Sequence, residues 1–344
     1  MTVAPLPLSG AEPAPVAPED PHLNRSPRPS PALSALRAGS AVAGFLPASV
    51  GQVVAETTAL VVSRGSYLAI RPNAMSKRRE MVGRHLRRVY GAEIGGWQLG
   101  RLVDEAFASY ARYWAETLRL PSLRPEQILA GAGYEGYENL EAGRAAGRGT
   151  IFALPHLGGW EWCGTDLGLR GHPMHVVVER LQPADVFEWF VSLRGQLGMH
   201  VIPTGPGAAA RCSEALAANG VLCLLADRVI GDASAVEVDF FGERTRLPAG
   251  PVTLALRTGA ALLPCAVYFG PGPDDHLGVM GRPIPLERRG RLRDDVAAGT
   301  QVLAKEFEAL IRRAPTQWHL MQPNWPSDEK VQVRGPFQSL VTRR

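Results

Sequence analysis

From about residue 131 to residue 326, short apolar runs alternate with segments that have helical spacing. A nearly continuous apolar run of about four to eight residues is typical of a strand that is buried on both faces. Such strands, when helices separate them, are typical of parallel sheets covered by helices. The pattern therefore predicts an α/β fold with a central, mostly parallel sheet, whose strands include "TIFAL", "MHVVV", "HVIP", "VLCLL" and "AALLPCAVYF".

Changes in composition divide the chain into four parts. Residues 1–33 form a leader rich in proline and alanine, which has too little apolar surface to offset the entropy of ordering and is predicted to be disordered. Residues 34–130 are predicted to form an N-terminal helical, membrane-associating part. The α/β core spans residues 131–326, and a C-terminal tail covers residues 327–344.

The helical part contains a basic amphipathic segment at residues 73–91. Met81, Val82 and Leu86 fall on one side of this helix, and arginines fall on the other. The basic side either lies on an anionic membrane or is the solvated face of a packed helix. The uncharged stretch 38–55 is interrupted by glycine and proline, whereas a spanning helix needs about 20 mostly apolar residues. We therefore expect a protein that is soluble or peripheral to a membrane.

The charge and the cysteines exclude some classes of site. The net charge is +4, and arginine supplies almost all of the positive charge; this bias suits phosphate or anionic lipid, or reflects genome composition alone. No nucleic-acid partner is expected. The four cysteines lack CxxC spacing and are predicted to be buried thiols in a reducing compartment. His172 and His175 lack a third ligand nearby, so no metal site is predicted.

The stretch "ALPHLGGWEW" places His156 just after a predicted strand. Two glycines allow a tight turn before a helix that begins near Trp160. Glu161 could orient the imidazole of His156 if it lies in the first helical turn. No serine or cysteine nucleophile has an obvious base, so the pair suits direct transfer, in which His156 deprotonates a hydroxyl that attacks an acyl group. Backbone N–H groups of the helix could stabilise the oxyanion.

Polar residues also follow two other predicted strands. "VVVERL" ends a strand with Glu179, and "CLLADRV" ends a later one with Asp227 and Arg228. In open parallel sheets, ligands bind at the carboxyl ends of the strands. His319, near the end of the core, is expected to be a buried histidine with satisfied hydrogen bonds.

Several motifs in this order resemble the lipid A late acyltransferase superfamily, and more closely its phosphatidylinositol mannoside acyltransferases. The similarity covers roughly residues 45–325. It rests on "LPHLGGWEW", "VVERL", "FVSLRGQLG", "LLADRV", "VDFFGERTRLPAGP" and "PTQWHLMQP".

The resemblance implies a fold similar to that of glycerol-phosphate acyltransferases, with a deep apolar groove for an acyl tail. It also implies transfer of a long acyl chain, usually palmitoyl, from acyl-CoA to a mannose hydroxyl of phosphatidylinositol mannoside. Such enzymes act at the cytoplasmic face of the cell membrane as peripheral proteins. They need no cofactor or metal, and acyl-CoA is a co-substrate.

Residue by residue, the resemblance implies the following roles. His156 is the general base, and Asp227 is its charge-relay partner. Glu161 is a supporting acid that maintains the structure of the site. The remaining residues would contact substrate: Glu179 and Arg194 on the acceptor side, and Arg228 as a phosphate-binding or site-ordering residue.

Two departures from the family pattern keep alternatives open. Glu161 stands where the family has aspartate, and Asp227 stands where glutamate is expected in the mannoside enzymes. The same chemistry on another lipid or natural-product acceptor, such as a lysophospholipid, is therefore an alternative. A protein that binds acyl lipids without turnover and a thioester hydrolase are two further alternatives.

Overall fold

A computed structural model describes residues 29–65, 74–230, 234–329 and 331, and the backbone of residues 338–339. Most of the predicted leader, the segment 66–73 and most of the predicted tail therefore lie outside the described residues. Helix formation begins at Pro31, within the last three residues of the predicted leader.

The N-terminal part is helical, as the apolar spacing predicted. Three helices pack around a fourth, long helix, α4, which also contacts the core. The four are α1 (Pro31–Phe45), α2 (Ala48–Gly65), α3 (Ala74–Tyr90) and α4 (Gly96–Arg119). Among the described residues, no helix combines the length and the hydrophobicity needed to cross a membrane.

The core is built on a mostly parallel sheet, which confirms the predicted fold class. Within the described residues the sheet has the strand order β1-β10-β9-β2-β6-β3-β5; the five strands from β9 to β5 are parallel, and β10 is antiparallel to β9. The strands are β1 (Ala132–Glu135), β2 (Thr150–Leu154), β3 (Met174–Val178), β5 (His200–Pro203), β6 (Val221–Leu225), β9 (Ala261–Phe269) and β10 (His276–Met280).

Helices cover both faces of the sheet. The core helices are α5 (Pro125–Ala130), α6 (Tyr137–Ala145), α7 (Trp160–Leu169), α8 (Ala184–Gln196), α9 (Ala208–Ala217), α10 (Gly250–Thr258) and α11 (Leu292–Arg313). The side chains of β2 alternate: Ile151 and Ala153 pack toward α9, α10 and α11, whereas Phe152 and Leu154 pack toward α7 and α8.

In the part of the chain that the structure describes, two small strand pairs lie outside the main sheet. The hairpin of β7 (Ala235–Phe240) and β8 (Glu243–Pro248) turns through Phe241 and Gly242, whose φ values of 51° and 76° fit a type I′ turn. The other pair joins β4 (Leu181–Gln182) to β11 (Gln338–Ser339).

Candidate active site

The turn between β2 and α7 carries His156. β2 is the central strand of the sheet and ends at Leu154, and α7 begins at Trp160. Gly158 has a φ of +61°, and a Cβ at this position would lie 2.1 Å from the carbonyl oxygen of Val267. Only glycine fits such an approach. The turn therefore fixes His156 between the carboxyl end of a strand and the N-terminus of a helix.

His156 and Asp227 form a hydrogen-bonded pair across two neighbouring strands. The imidazole Nδ1 lies 2.6 Å from Oδ1 of Asp227, and the backbone N–H of His156 donates to Oδ2 over 3.0 Å. β6, which precedes Asp227, pairs in parallel with β2, so the sheet brings together residues that are 71 positions apart. One carboxylate thus fixes both the backbone and the ring of His156.

Residues near the end of the core hold Asp227 in place. The indole N–H of Trp318 donates to Oδ2 over 2.8 Å, and the amide of Asn324 donates to the Asp227 carbonyl over 2.9 Å. Asp227 is completely buried. Burial disfavours its charged form, but the adjacent His156 and the hydrogen bonds from His156 and Trp318 outweigh burial and lower its pKa to about 2. Asp227 is therefore ionised at neutral pH.

One ring nitrogen of His156 remains available to accept a proton. Its side chain is 17% exposed, and the ring meets Trp160 edge-on with centroids 5.7 Å apart. Because the Asp227 carboxylate accepts a hydrogen bond from Nδ1–H, the neutral ring carries its lone pair on Nε2. Nε2 is thus the nitrogen that can take a proton from a ligand.

Glu161 forms a separate ion pair with Arg194. The guanidinium Nε of Arg194 lies 3.2 Å from each carboxylate oxygen of Glu161, and Nη2 also donates to Oε1. The Tyr113 hydroxyl donates to the same carboxylate over 3.4 Å. The expectation from spacing that Glu161 orients the imidazole is therefore wrong, since Asp227 contacts Nδ1. Glu161 instead ties α7 to α8, which carries Arg194.

Glu179 and Arg228 form the third pair of sequence-predicted residues. The guanidinium Nη2 of Arg228 donates to Oε2 of Glu179 over 3.2 Å, and both side chains are mostly buried. Glu179 follows β3 and Arg228 follows β6, which are adjacent in the sheet. All six predicted site residues are therefore arranged as three polar pairs around the carboxyl ends of β2, β6 and β3.

An aromatic layer lies between the turn that carries His156 and the backbone of α4. Tyr113 of α4 stacks on Trp160 at 4.2 Å, and Tyr110 lies 6.2 Å from Tyr113. Tyr110 also meets His319 at 5.4 Å. Four aromatic side chains thus form a continuous wall beside the turn that carries His156.

His319 is buried, as expected, but only half of its hydrogen-bonding capacity is used. Nε2 lies 2.8 Å from the Ser109 hydroxyl, whereas Nδ1 is buried without a hydrogen-bond partner among the described residues. Its backbone N–H donates to the carbonyl of His156 over 2.7 Å. Burial lowers the pKa of His319 to about 3, so its ring is neutral at neutral pH.

Sequence reasoning did not identify Trp318, Asn324 or Tyr113 as parts of the site. Trp318 and His319 lie in a quoted motif, but that motif assigns no hydrogen bond. The backbone of Trp318 pairs with Leu157 in an isolated bridge, which brings the segment against the His156 turn. The motif marks this segment as part of the family pattern, but only the fold shows which hydrogen bonds the segment makes at the site.

A narrow apolar cavity of about 80 Å³ lies between α7 and the sheet. Trp160, Glu161 and Arg194 form part of its wall, so it adjoins the turn that carries His156. The rest of the wall is mostly aliphatic, with three methionines: Met174, Met199 and Met280. Methionine side chains are flexible, which lets such a cavity widen around a ligand.

His172 and His175, whose spacing in the sequence could suit a metal, make other contacts. His172 Nε2 lies 2.7 Å from the Tyr137 hydroxyl, and His175 stacks on His200 at 4.9 Å. Across the described part of the chain, no group of three histidine, cysteine, aspartate or glutamate side chains could hold a metal ion.

The chain is similar to known acyltransferases. The model of the family described as "Bacterial lipid A biosynthesis acyltransferase" matches residues 31–327. Phosphatidylinositol mannoside acyltransferase of Mycolicibacterium smegmatis is 39% identical over 230 residues, which are 66% of this chain and 73% of that protein. The protein of the same name from Mycobacterium tuberculosis (strain H37Rv) is 38% identical over 244 residues, 69% of this chain and 74% of that protein.

Proposed function

Because the chain belongs to the bacterial lipid A biosynthesis acyltransferase family, we propose that it transfers a palmitoyl group from palmitoyl-CoA to a mannose hydroxyl of phosphatidylinositol mannoside. The chain is an acyltransferase of lipid biosynthesis; its donor, its acceptor and its catalytic residues are the proposal. The acceptor follows the name of the relatives that are 38–39% identical.

The observation that carries the proposal is the 2.6 Å contact between Nδ1 of His156 and Asp227. Nε2 takes the proton of the sugar hydroxyl while the hydroxyl oxygen forms a bond to the thioester carbon. The tetrahedral intermediate then breaks its carbon–sulfur bond. The leaving thiolate takes the proton from the imidazolium, which yields free coenzyme A and the sugar ester. Asp227 stabilises the positive charge on the ring in between.

The N-terminus of α7 suits the negative charge that develops on the carbonyl oxygen. The first N–H groups of a helix have no partner within the helix, and the helix dipole favours an anion at that end. α7 begins at Trp160, four positions after His156. A thioester carbonyl that lies between Nε2 and this helix end would be polarised for attack.

The cavity between α7 and the sheet would take the acyl chain of the donor. Trp160, whose ring meets His156 edge-on, forms part of its wall, and the rest of the wall is mostly apolar and adaptable. The cavity would widen to admit a long chain, and burial of each methylene that enters it would contribute about 0.8 kcal/mol. Glu179, Arg194 and Arg228 would form the polar, acceptor side of the site.

Helices α1 and α2 would contact the membrane surface from its cytoplasmic face. They expose a group of apolar side chains that is unusual on a surface surrounded only by water. Phe45 is 90% exposed, and Val42, Val53 and Val61 are also mostly exposed. The chain's net charge of +4 favours an anionic leaflet. A peripheral position places the lipid acceptor within reach of His156.

A single assay tests the acceptor. Purified protein is incubated with palmitoyl-CoA and a panel of phosphatidylinositol mannosides and lysophospholipids, and the products are identified by mass spectrometry. We expect one palmitoyl group on a mannose. Acylation of lysophospholipid alone would mean a different acceptor, and release of coenzyme A at the same rate without any acceptor would mean a hydrolase. Binding of palmitoyl-CoA without release of coenzyme A would mean a protein without turnover.

A further inference from the structure

A second apolar space lies between helices α1, α2 and α4. We call it the helical groove; it encloses about 670 Å³, much more than the cavity under α7. Val42 of α1, Val54 and Ala55 of α2, and Trp114 and Leu118 of α4 form parts of its wall. A space of this size and chemistry fits a hydrocarbon chain.

The outer rim of the helical groove is itself an exposed apolar surface. Val42, Val54 and Val62 line the groove, and each of them is more than half exposed. Phe45 and Val53, on the same two helices, are also exposed. The groove therefore opens sideways onto the apolar surface that the proposed function assigns to the membrane. A lipid can reach the groove from the bilayer without passing through water.

The helical groove reaches the aromatic layer beside His156. Tyr110 and Met321 line the groove, and the ring of Tyr110 lies 5.4 Å from that of His319 in the aromatic layer. The backbone N–H of His319 in turn donates to the carbonyl of His156 over 2.7 Å. A chain in the groove would therefore lie against the layer that adjoins the catalytic pair.

The aromatic layer has an apolar space on each side. Trp160 lines the cavity under α7, and Tyr110 lines the helical groove. An acyl transfer between two lipids brings a donor chain and an acceptor lipid to one site, and this protein has two apolar spaces near that site. The cavity under α7 adjoins the N-terminus of α7, where the thioester carbonyl would lie. The groove remains for the other lipid.

We infer that the helical groove binds one acyl chain of the glycolipid acceptor. This inference rests on the proposed function, because it names the acceptor's own subsite at that active site. The groove then selects acceptors by their lipid anchor, and it fixes the distance between the membrane and the hydroxyl that reaches His156.

Photolabelling tests the occupant without any turnover. The His156→Ala protein is mixed with vesicles of phosphatidylcholine that contain phosphatidylinositol with a diazirine at the end of one acyl chain. We expect labelled peptides from α1, α2 and α4, and, in a parallel sample with diazirine-bearing palmitoyl-CoA, from α7 and the sheet. Phosphatidylinositol label on α7 and the sheet, label spread over the surface, or palmitoyl-CoA label in the groove would overturn the inference.

A pair of matched variants tests the same subsite by kinetics. Ala55→Phe fills the helical groove, whereas Ala298→Phe adds the same ring at an exposed position of α11, away from the groove and from the exposed apolar face of α1 and α2. Ala55→Phe is expected to raise the KM for phosphatidylinositol mannoside about tenfold, as the loss of about two buried methylenes would. The KM for palmitoyl-CoA stays unchanged, and Ala298→Phe leaves both values unchanged.

The outcomes separate the inference from the proposed function. A higher KM for palmitoyl-CoA with Ala55→Phe would mean that the groove holds the donor, and no change in either KM would mean that it holds neither substrate; both results overturn the inference. A wild-type protein that acylates no acceptor would refute the proposed function, and the photolabelling result would then decide the inference alone.

Discussion

The indole N–H of Trp318 donates to the same oxygen of Asp227 that accepts the backbone N–H of His156. The other carboxylate oxygen is left for Nδ1 of the imidazole. Trp318 therefore decides which way the carboxylate faces, although it lies 91 residues from Asp227 in the chain. It is a positioning residue in the proposed mechanism.

Replacement of Trp318 by phenylalanine tests this role. A hydrogen bond to a charged group contributes about 1.5–3 kcal/mol, so we expect kcat to fall about tenfold to hundredfold. The KM for palmitoyl-CoA should not change, since Trp318 contacts the carboxylate. Trp325→Phe is the matched control: its buried indole donates to the carbonyl of Phe240, so its loss should lower stability but not kcat. Equal losses of kcat in both variants would contradict the role.

Substitution of Asp227 by asparagine tests the charge behind the imidazole. The variant keeps the shape of the side chain but removes the charge that stabilises the imidazolium, and we expect kcat to fall about 10²-fold to 10⁴-fold. Asp227→Glu should recover part of the loss, and the exposed Asp239→Asn is the control. Steady-state rates of coenzyme A release measure the effect. An Asp227→Asn rate within about threefold of wild type would exclude a relay.

The buried ion pair of Glu161 and Arg194 is expected to show coupling, so that the effect of replacing one partner depends on whether the other is present. Removal of one partner leaves an uncompensated buried charge, which costs about 3–5 kcal/mol. Glu161→Gln and Arg194→Met should each lower the free energy of unfolding by that order, and the double variant should lose less than the sum. Urea unfolding of the four proteins measures the coupling. Additive losses would show that the two side chains act independently.

Because His85 and His319 are buried, we expect the free energy of unfolding to fall as the pH drops below neutrality. Burial lowers the pKa of His85 from 6.5 to about 4 and that of His319 to about 3, so both are neutral in the folded protein. As the pH falls, these two histidines therefore bind protons at a higher pH in the unfolded chain than in the folded protein. The stabilisation is therefore complete above pH 6.5 and is lost as the pH falls from about 6.5 toward 4, by about 1.4 kcal/mol per pH unit for each histidine.

Urea unfolding between pH 7.5 and pH 5 checks this slope. His85→Gln keeps a donor for the carbonyl of Gln322, to which His85 Nε2 now bonds, and should remove part of the dependence; burial also lowers the pKa values of His172 and His175, which keep their share. Ala210→Gln, at an exposed position of α9, should leave it unchanged. A slope that is the same in all three proteins would mean that other groups dominate.

The sheet was predictable because its strands are buried on both faces. Runs such as "TIFAL" therefore consist almost entirely of apolar residues, and β2 spans those five residues. The helices of the N-terminal part were predictable in the same way from apolar spacing. How α1 and α2 pack on α4 was not predictable, because spacing identifies an apolar face but not the surface that it meets.

Spacing alone did not predict which polar residues pair, although the resemblance implied the pair of His156 and Asp227. A separation of five positions made Glu161 a natural partner for His156, but the first turn of α7 directs Glu161 toward Arg194. Asp227 reaches the imidazole because β6 is the neighbour of β2, and strand order cannot be derived from local patterns. Glu161 and Asp227, the two acids that depart from the family pattern in side-chain length, therefore contact different partners.

The most direct test of the central claim is the rate of the first turnover in His156→Ala. Enzyme in excess over palmitoyl-CoA is mixed with phosphatidylinositol mannoside, and the acylated product is measured over time beside wild type and His200→Ala. If Nε2 of His156 removes the hydroxyl proton, His156→Ala loses about 10²-fold to 10⁴-fold in this rate, and His200→Ala keeps it. A His156→Ala rate close to that of wild type would contradict the account.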